Sequence, residues 1–280
     1  MVERSIGIFQ GQPLSPNHKP NSLDRIKEDL ALKGYSVIAP ESDDNLDNIR
    51  NEIDSALENE IELFGATNLE TINDFGVVRN PFLQSLECRK IIFSNRCLEV
   101  CEAIFGRQFI LHVNRYVISD PRVLHPASVW HREPPYNNFI ADKPMALTFI
   151  FFPDGSDENN SGLNLLPASH KWADFPSDDF VVKNQIVPKI EAGSTLVINS
   201  NLFHKGGEGG TSRRRSIVTI FTTPVIKQQT NLAKVIREQF PEIISELEDG
   251  SFLLGVDTET KDSDHTYRVS KLETKRKINS

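Results

Sequence analysis

The stretch from Gln108 to Pro224 places the tightest limit on the fold. It holds the runs "QFILHVNRYVIS", "PMALTFIFF", "GLNLLPAS", "FVVKNQIVP", "STLVINS" and "SIVTIFTTP", rich in Val, Ile, Phe and Thr and parted by Gly, Pro, Asp and Asn. Branched and aromatic side chains suit a pleated, half-buried surface, and frequent turn residues stop each run early. A parallel sheet would need a long crossover between its strands, usually a helix, so these runs predict a sandwich or barrel.

The flanks read differently. "SLDRIKEDLALKGYSVIAP" predicts a helix capped by Ser22 and closed by Gly34, then a strand over Tyr35–Ala39. Leu46, Ile49, Ile53, Leu57 and Ile61 recur at helical spacing and predict a second helix. A third is expected from Pro81 to Gly106, with proline in its first turn. Residues 1–21, with three prolines, read as a loose arm, and residues 227–280 as helical and polar with a basic solvated tail. The simplest partition of the 280 residues is one domain. An arm and helical region (1–106) precede a β core carrying the site (107–226), and a helical segment (227–280) follows.

A net charge of −8 gives no basic surplus for binding nucleic acid. No apolar run reaches membrane-spanning length, and the first twenty residues carry no secretory signal, so the expected compartment is the cytoplasm. Cys88, Cys97 and Cys101 lack paired zinc spacing and read as buried free thiols.

The segment "SVWHREPPYNNF" sets His131 and Glu133 two residues apart, on one face of an extended chain. A third ligand should then come from another strand. His112 sits inside an apolar strand, His125 in a loop and His170 at a turn, whereas His204 ends a hydrophobic run before a glycine-rich turn. Two histidines and one carboxylate are the facial triad of non-heme Fe(II) oxygenases, which leaves positions for a chelating cosubstrate and dioxygen. Beyond His204, "TSRRRSIV" opens a strand with arginines, and a guanidinium there can hold a carboxylate in a bidentate pair. Arg213 and Arg215 share one strand face and Arg214 takes the other.

The ordered set "WHRE", "ALTFIFFPDG", "ENNSGLNLLPASHKW", "GSTLVINSNLFHKGGEGG" and the arginine-headed strand resembles the phytanoyl-CoA dioxygenase family of Fe(II)/2-oxoglutarate-dependent oxygenases. The resemblance runs over roughly residues 107–225, and "DLALKGYSVIAP" is similar to the family's entry segment. It implies a mainly β fold with helical additions around a double-stranded β-helix, the cupin-type jelly roll. It also implies Fe(II) on His131, Glu133 and His204, with 2-oxoglutarate and O2 as cosubstrates and an arginine on the far carboxylate. Family spacing favours Arg215 over Arg214. The family more often has Asp where this chain has Glu133, and related halogenases put Gly or Ala there, so Glu133 argues against halogenation.

Thr148 and Asn114 are candidate hydrogen-bond partners of the cosubstrate. Ser169, His170, Trp130 and Trp172 read as structural. Arg79, Arg115 and Arg132 read first as solvated, with an anionic substrate as the sharper alternative. The expected reaction is hydroxylation of an unactivated C–H bond in a small-molecule metabolite, with release of succinate and CO2. The competing readings are a cupin-type hydrolase or isomerase that does not use 2-oxoglutarate, and a non-catalytic binding protein with a degenerate site. The sequence carries no readable code for the substrate or the oligomeric state.

Overall fold

The computed structural model describes residues 21–40, 45–120, 128–133, 140–208, 210–259 and 263–278. Residues 1–20 of the expected arm, His125 and most of the loop after Glu133 lie outside these residues. The main sheet is built from β1 (Tyr35–Ile38), β2 (Val77–Arg79), β3 (Ile110–Ser119), β4 (Ala146–Phe152), β6 (Ser194–Asn199) and β8 (Arg214–Thr222). Their order is β1-β6-β4-β8-β3-β2, each pair antiparallel. A second, two-stranded sheet pairs β5 (Asn164–Leu165) with β7 (His204–Lys205). This is an antiparallel jelly-roll core with helical additions, as the sequence predicts.

Helices α1 (Leu23–Leu32), α2 (Leu46–Phe64), α3 (Ala66–Thr71), α4 (Leu86–Ile92) and α5 (Asn95–Phe105) precede the core. The capping by Ser22 holds: its hydroxyl accepts from Arg25 N at 3.2 Å. In α2 the buried residues Ile49, Ile53 and Leu57 follow the expected period. The third predicted helix is divided into a 3-10 turn at Pro81–Leu83 and two helices. Ser85 and Ser94 each cap a new start, accepting from Cys88 N and Cys97 N, and a hydroxyl that satisfies first-turn donors favours beginning a helix over continuing one.

"FVVKNQIVP" does not form the expected strand. Residues Asp178–Asn184 make helix α6, in which only Val181 is buried while Phe180 and Val182 face outward. The apolar run is thus not a buried period-two pattern. The three-residue β2 was too short to read from sequence.

After the core come α7 (Leu232–Gln239), α8 (Glu242–Glu246), α9 (Gly250–Leu253) and α10 (Asp264–Ile278). Leu232, Ile236, Ile243 and Leu254 join the same hydrophobic cluster as Ile26, Ile53 and Val100 from the N-terminal helices. Helices α1, α2, α4, α5, α7, α8 and α9 therefore cover one face of the main sheet, where Leu147, Phe149, Ile217 and Phe221 are buried. Each such fully buried side chain contributes roughly 1.5–3 kcal/mol of transfer free energy. The alternate residues of the same strands, including Ile150, Leu196 and Ile198, pack on the other face with Leu163 and Leu165. No helix among the described residues is long and apolar enough to cross a membrane.

A bulge in β3 sets which residues face which way. Leu111 pairs with Phe221 and Val113 with Ile220, so His112 is the extra residue. Past it the parity is inverted: Tyr116 and Ile118 join Leu111 on the helix-covered face, and Arg115, Val117 and Ser119 turn to the other.

Candidate active site

His131 lies in a short extended segment bridged antiparallel to His204. His131 N donates to His204 O at 3.0 Å, His204 N donates to His131 O at 3.1 Å, and Glu133 N donates to Ser200 O at 2.8 Å. This pairing brings two parts of the chain 73 positions apart onto one spot, with the imidazole rings 4.4 Å apart. They open onto a cavity of about 80 Å³ that Glu133, Thr148, Arg115 and Arg214 also line. A larger groove of about 600 Å³ lies among Glu52, Tyr116 and Phe240, but neither histidine nor cysteine lines it.

The donors suit a divalent metal. His131 Nδ1 lies 2.8 Å from Val129 O and His204 Nδ1 lies 2.9 Å from Leu202 O. A carbonyl only accepts, so each Nδ1 carries the proton and each Nε2 keeps its lone pair for a ligand. Burial, with His131 close by, pushes His204 down to about 3 against the opposing bond to Leu202 O, so it stays neutral. Glu133 Oε1 stands 3.9 Å from His131 Nε2 and 3.8 Å from Arg115 Nη2. The three side chains share a cavity without closing to ligating distance, and among the described residues no group of three His, Cys, Asp or Glu meets the spacing of a metal centre.

The arginines separate by strand parity. Arg214 is buried and lines the cavity with Ser216 and Val218, the alternate residues of β8. Its Nη1 reaches Ser156 Oγ at 3.4 Å and its Nη2 reaches Ser119 Oγ at 3.1 Å, while Nε has no partner. Burial lowers this guanidinium to about 10, opposed by the charge of Asp154.

Arg215 departs from the expectation that it faces the cosubstrate. It leaves the other side of the strand, with Nε and Nη2 bonded to Asp54 at 2.9 and 2.6 Å and Nη1 to Asp154 at 3.0 Å. The cause is register: β8 enters the sheet at Arg214, opposite Ser119, so the even residues face the cavity.

Thr148 is in the cavity wall, with its hydroxyl 2.8 Å from Ser200 Oγ. Asn114 is not. It lies on the helix-covered side of β3, accepting from Phe82 N at 3.2 Å and donating to Thr219 Oγ1 at 3.1 Å. The bulge at His112 is what sends it there. Trp130 and Trp172 pack around Leu166, Val181 and Phe203, as a structural role requires. His170 is buried against Gly34, where a Cβ would come 2.5 Å from its Nδ1, so only glycine fits. Gly34 also has a φ of +83°, a second reason for glycine.

Arg115 and Arg132 are not the solvated side chains expected. Arg115 lines the cavity with its Nε buried and unpartnered. The Nε of Arg132 donates to Asn201 O at 2.9 Å, and its guanidinium lies 3.8 Å over the Phe203 ring. The available signal was alternation: the middle residue of His-x-Glu must point away from the two ligands.

Residues 30–217, more than half of the chain, match the family model described as phytanoyl-CoA dioxygenase (PhyH). The chain belongs to the phytanoyl-CoA dioxygenase family. Membership makes it a dioxygenase of the general Fe/2-oxoglutarate type, an oxidoreductase. An uncharacterized protein of Mycobacterium tuberculosis is 22% identical over 226 residues, 77% of this chain and 81% of the relative. The dioxygenase cdmD of Talaromyces verruculosus is 26% identical over 144 residues, 47% of this chain and 46% of that protein. Among solved structures, EctD from S. alaskensis with 2-oxoglutarate and 5-hydroxyectoine superposes with a TM-score of 0.59 at 16% identity, covering 75% of this chain and 78% of that one. The non-heme alpha ketoglutarate dependent epimerase SnoN from nogalamycin biosynthesis gives a TM-score of 0.52 at 16% identity, covering 74% and 82%. At these identities the solved structures speak for the fold.

Proposed function

We propose that this family member is an Fe(II)- and 2-oxoglutarate-dependent hydroxylase acting on a small molecule. One observation carries the reading. A single cavity holds two imidazoles, a carboxylate and a buried guanidinium whose described hydrogen-bond partners are only hydroxyls. The first three match a 2-His-1-carboxylate donor set. A buried cation with no anion hydrogen-bonded to it is costly, even with the charge of Asp154 nearby, and the distal carboxylate of 2-oxoglutarate would reduce that cost.

His131 and His204 would hold the metal through Nε2 and Glu133 through a carboxylate oxygen. When bound, Fe(II) supplies the dioxygen chemistry that converts 2-oxoglutarate to succinate and CO2 and oxidises a C–H bond. Arg214 would hold the far carboxylate by a bidentate, charge-assisted pair, and the Thr148 hydroxyl would offer a neutral hydrogen bond nearby. Ile150, Leu163 and Val218 give the cavity apolar walls, which exclude water and strengthen each of these interactions.

The test uses protein loaded anaerobically with Fe(II), then given 2-oxoglutarate and air. The wild type should form succinate, and His131→Ala and His204→Ala should lose tight metal binding. Glu133→Asp should keep more turnover than Glu133→Ala, because the metal needs a carboxylate oxygen before it needs a particular reach. A wild type that binds metal but never 2-oxoglutarate would return the site to a cupin-type hydrolase or isomerase.

A further inference from the structure

Among the described residues, the segment carrying His131 and Glu133 makes three main-chain bonds, two with His204 and one to Ser200, all to the stretch that leads into His204. What else fixes two candidate ligands in place?

Arg132 lies between them and, by strand alternation, points the other way, into the protein. Its Nε donates to Asn201 O at 2.9 Å, its Nη1 to Ala173 O at 3.2 Å and its Nη2 to Ser169 O at 3.1 Å; Nη2 also donates to Trp172 O. The guanidinium plane covers the Phe203 ring. The acceptors belong to two segments, the Ser169–Ala173 turn and the Asn201–Phe203 stretch that leads into His204. Those two are joined in turn by Phe203 N donating to Ser169 Oγ at 2.8 Å. The turn itself is docked on the end of α1, with Ala168 N donating to Lys33 O at 2.8 Å.

We infer that Arg132 is a positioning residue for the metal centre: its guanidinium clamps the His131–Glu133 segment to the segment bearing His204 and so fixes the spacing of the two halves of the ligand set. This rests on the proposed metal site. A planar fork with five donors can serve four carbonyls in two directions at once, and an ammonium cannot keep that geometry. The chemistry also explains why neutral carbonyls suffice here. The side chain is asked for directional hydrogen bonds, and charge enters only through the aromatic face and the more distant Asp174.

The experiment titrates Co(II) into the apo protein and follows its ligand-field absorption, with apo thermal unfolding measured alongside. Arg132→Met, which keeps the apolar stem, should weaken Co(II) binding by about 10- to 100-fold, the usual effect of losing an outer-sphere partner. It should also alter the Co(II) spectrum, which reports ligand geometry and is indifferent to global stability. Arg132→Lys should fall between the two and serves if Arg132→Met does not fold. A folded Arg132→Met or Arg132→Lys protein with the wild-type affinity and spectrum would overturn the inference, even if its unfolding temperature drops. A wild type that binds no Co(II) would instead remove the metal reading on which it stands.

Discussion

Arg214 and Arg215 are neighbours in sequence and opposites in surroundings. Arg215, on the outer side of β8, has two carboxylates and makes bonds as short as 2.6 Å to them. Arg214, on the cavity side, is buried with two hydroxyls and an Nε that bonds to nothing. The same contrast runs through the whole sheet. The face under the helices carries a continuous apolar cluster, and Asn114 beside it is satisfied by Phe82 N and Thr219 Oγ1. The face toward the small sheet gathers imidazole, carboxylate and guanidinium around a void. At these two arginines, completed ion pairs mark a structural side chain, and a buried guanidinium without a bonded anion marks one placed to receive something.

That contrast can be broken from the structural side first. Phe221 packs edge-on against Phe93, Phe109 and Phe149, with centroids 5.8–6.3 Å apart. Phe221→Ala should lower stability by about 3–5 kcal/mol, read by urea unfolding. The protein that remains folded should bind 2-oxoglutarate like the wild type. A comparable loss of affinity in the folded fraction would mean that the two faces are not independent.

Arg215→Met should have a smaller effect, about 1.5–3 kcal/mol of stability, the range for hydrogen bonds to charged groups. Its pH dependence has a definite sign. Burial raises the Asp54 carboxyl, but hydrogen bonds and charge from Arg215, with help from Arg213, outweigh it and hold it below its ordinary value. A depressed folded pKa gives stability that is present above the unfolded pKa, near 4, and lost as pH falls through the folded value. The gap in stability between wild type and Arg215→Met should therefore narrow as pH drops below about 4. A gap that widens in acid would show that Asp54 is not the partner that matters.

The smallest effect is expected at Thr148. Removing its hydroxyl in Thr148→Val deprives Ser200 Oγ of its 2.8 Å partner and should cost about 0.5–1.5 kcal/mol of stability. Binding of 2-oxoglutarate should weaken by no more than about tenfold, the worth of one neutral hydrogen bond. A hundredfold loss would promote Thr148 from wall to principal contact.

Much of this was legible because periodicity and burial report the same thing. The buried positions of α2 and the buried runs of β4 and β8 repeat the patterns read from sequence. The meeting of His131, Glu133 and His204 in one cavity was legible too, since a two-residue spacing and a distal histidine at a strand end leave few alternatives. Facing was harder. Counting residues from His204 to the arginines does not give the side of the sheet, because the intervening loop has no period. Pairing of Arg214 with Ser119 decides it, and that depends on a distant strand. Asn114 fails for the same reason, since the bulge at His112 inverts the face of every later residue in β3. Arg132 was misread because nothing local shows that four backbone carbonyls from other segments surround it.

The central claim is that the cavity face, through Arg214, receives 2-oxoglutarate. It is tested most directly by 2-oxoglutarate affinity of the Fe(II)-loaded, anaerobic protein in two variants side by side. Truncating one member of a buried charge pair costs roughly 3–5 kcal/mol, so Arg214→Met should bind at least about a hundredfold more weakly. Arg215→Met, whose side chain is engaged by Asp54 and Asp154 outside the cavity, should bind within a few-fold of wild type. A loss confined to Arg215→Met, with Arg214→Met unaffected, would contradict the account.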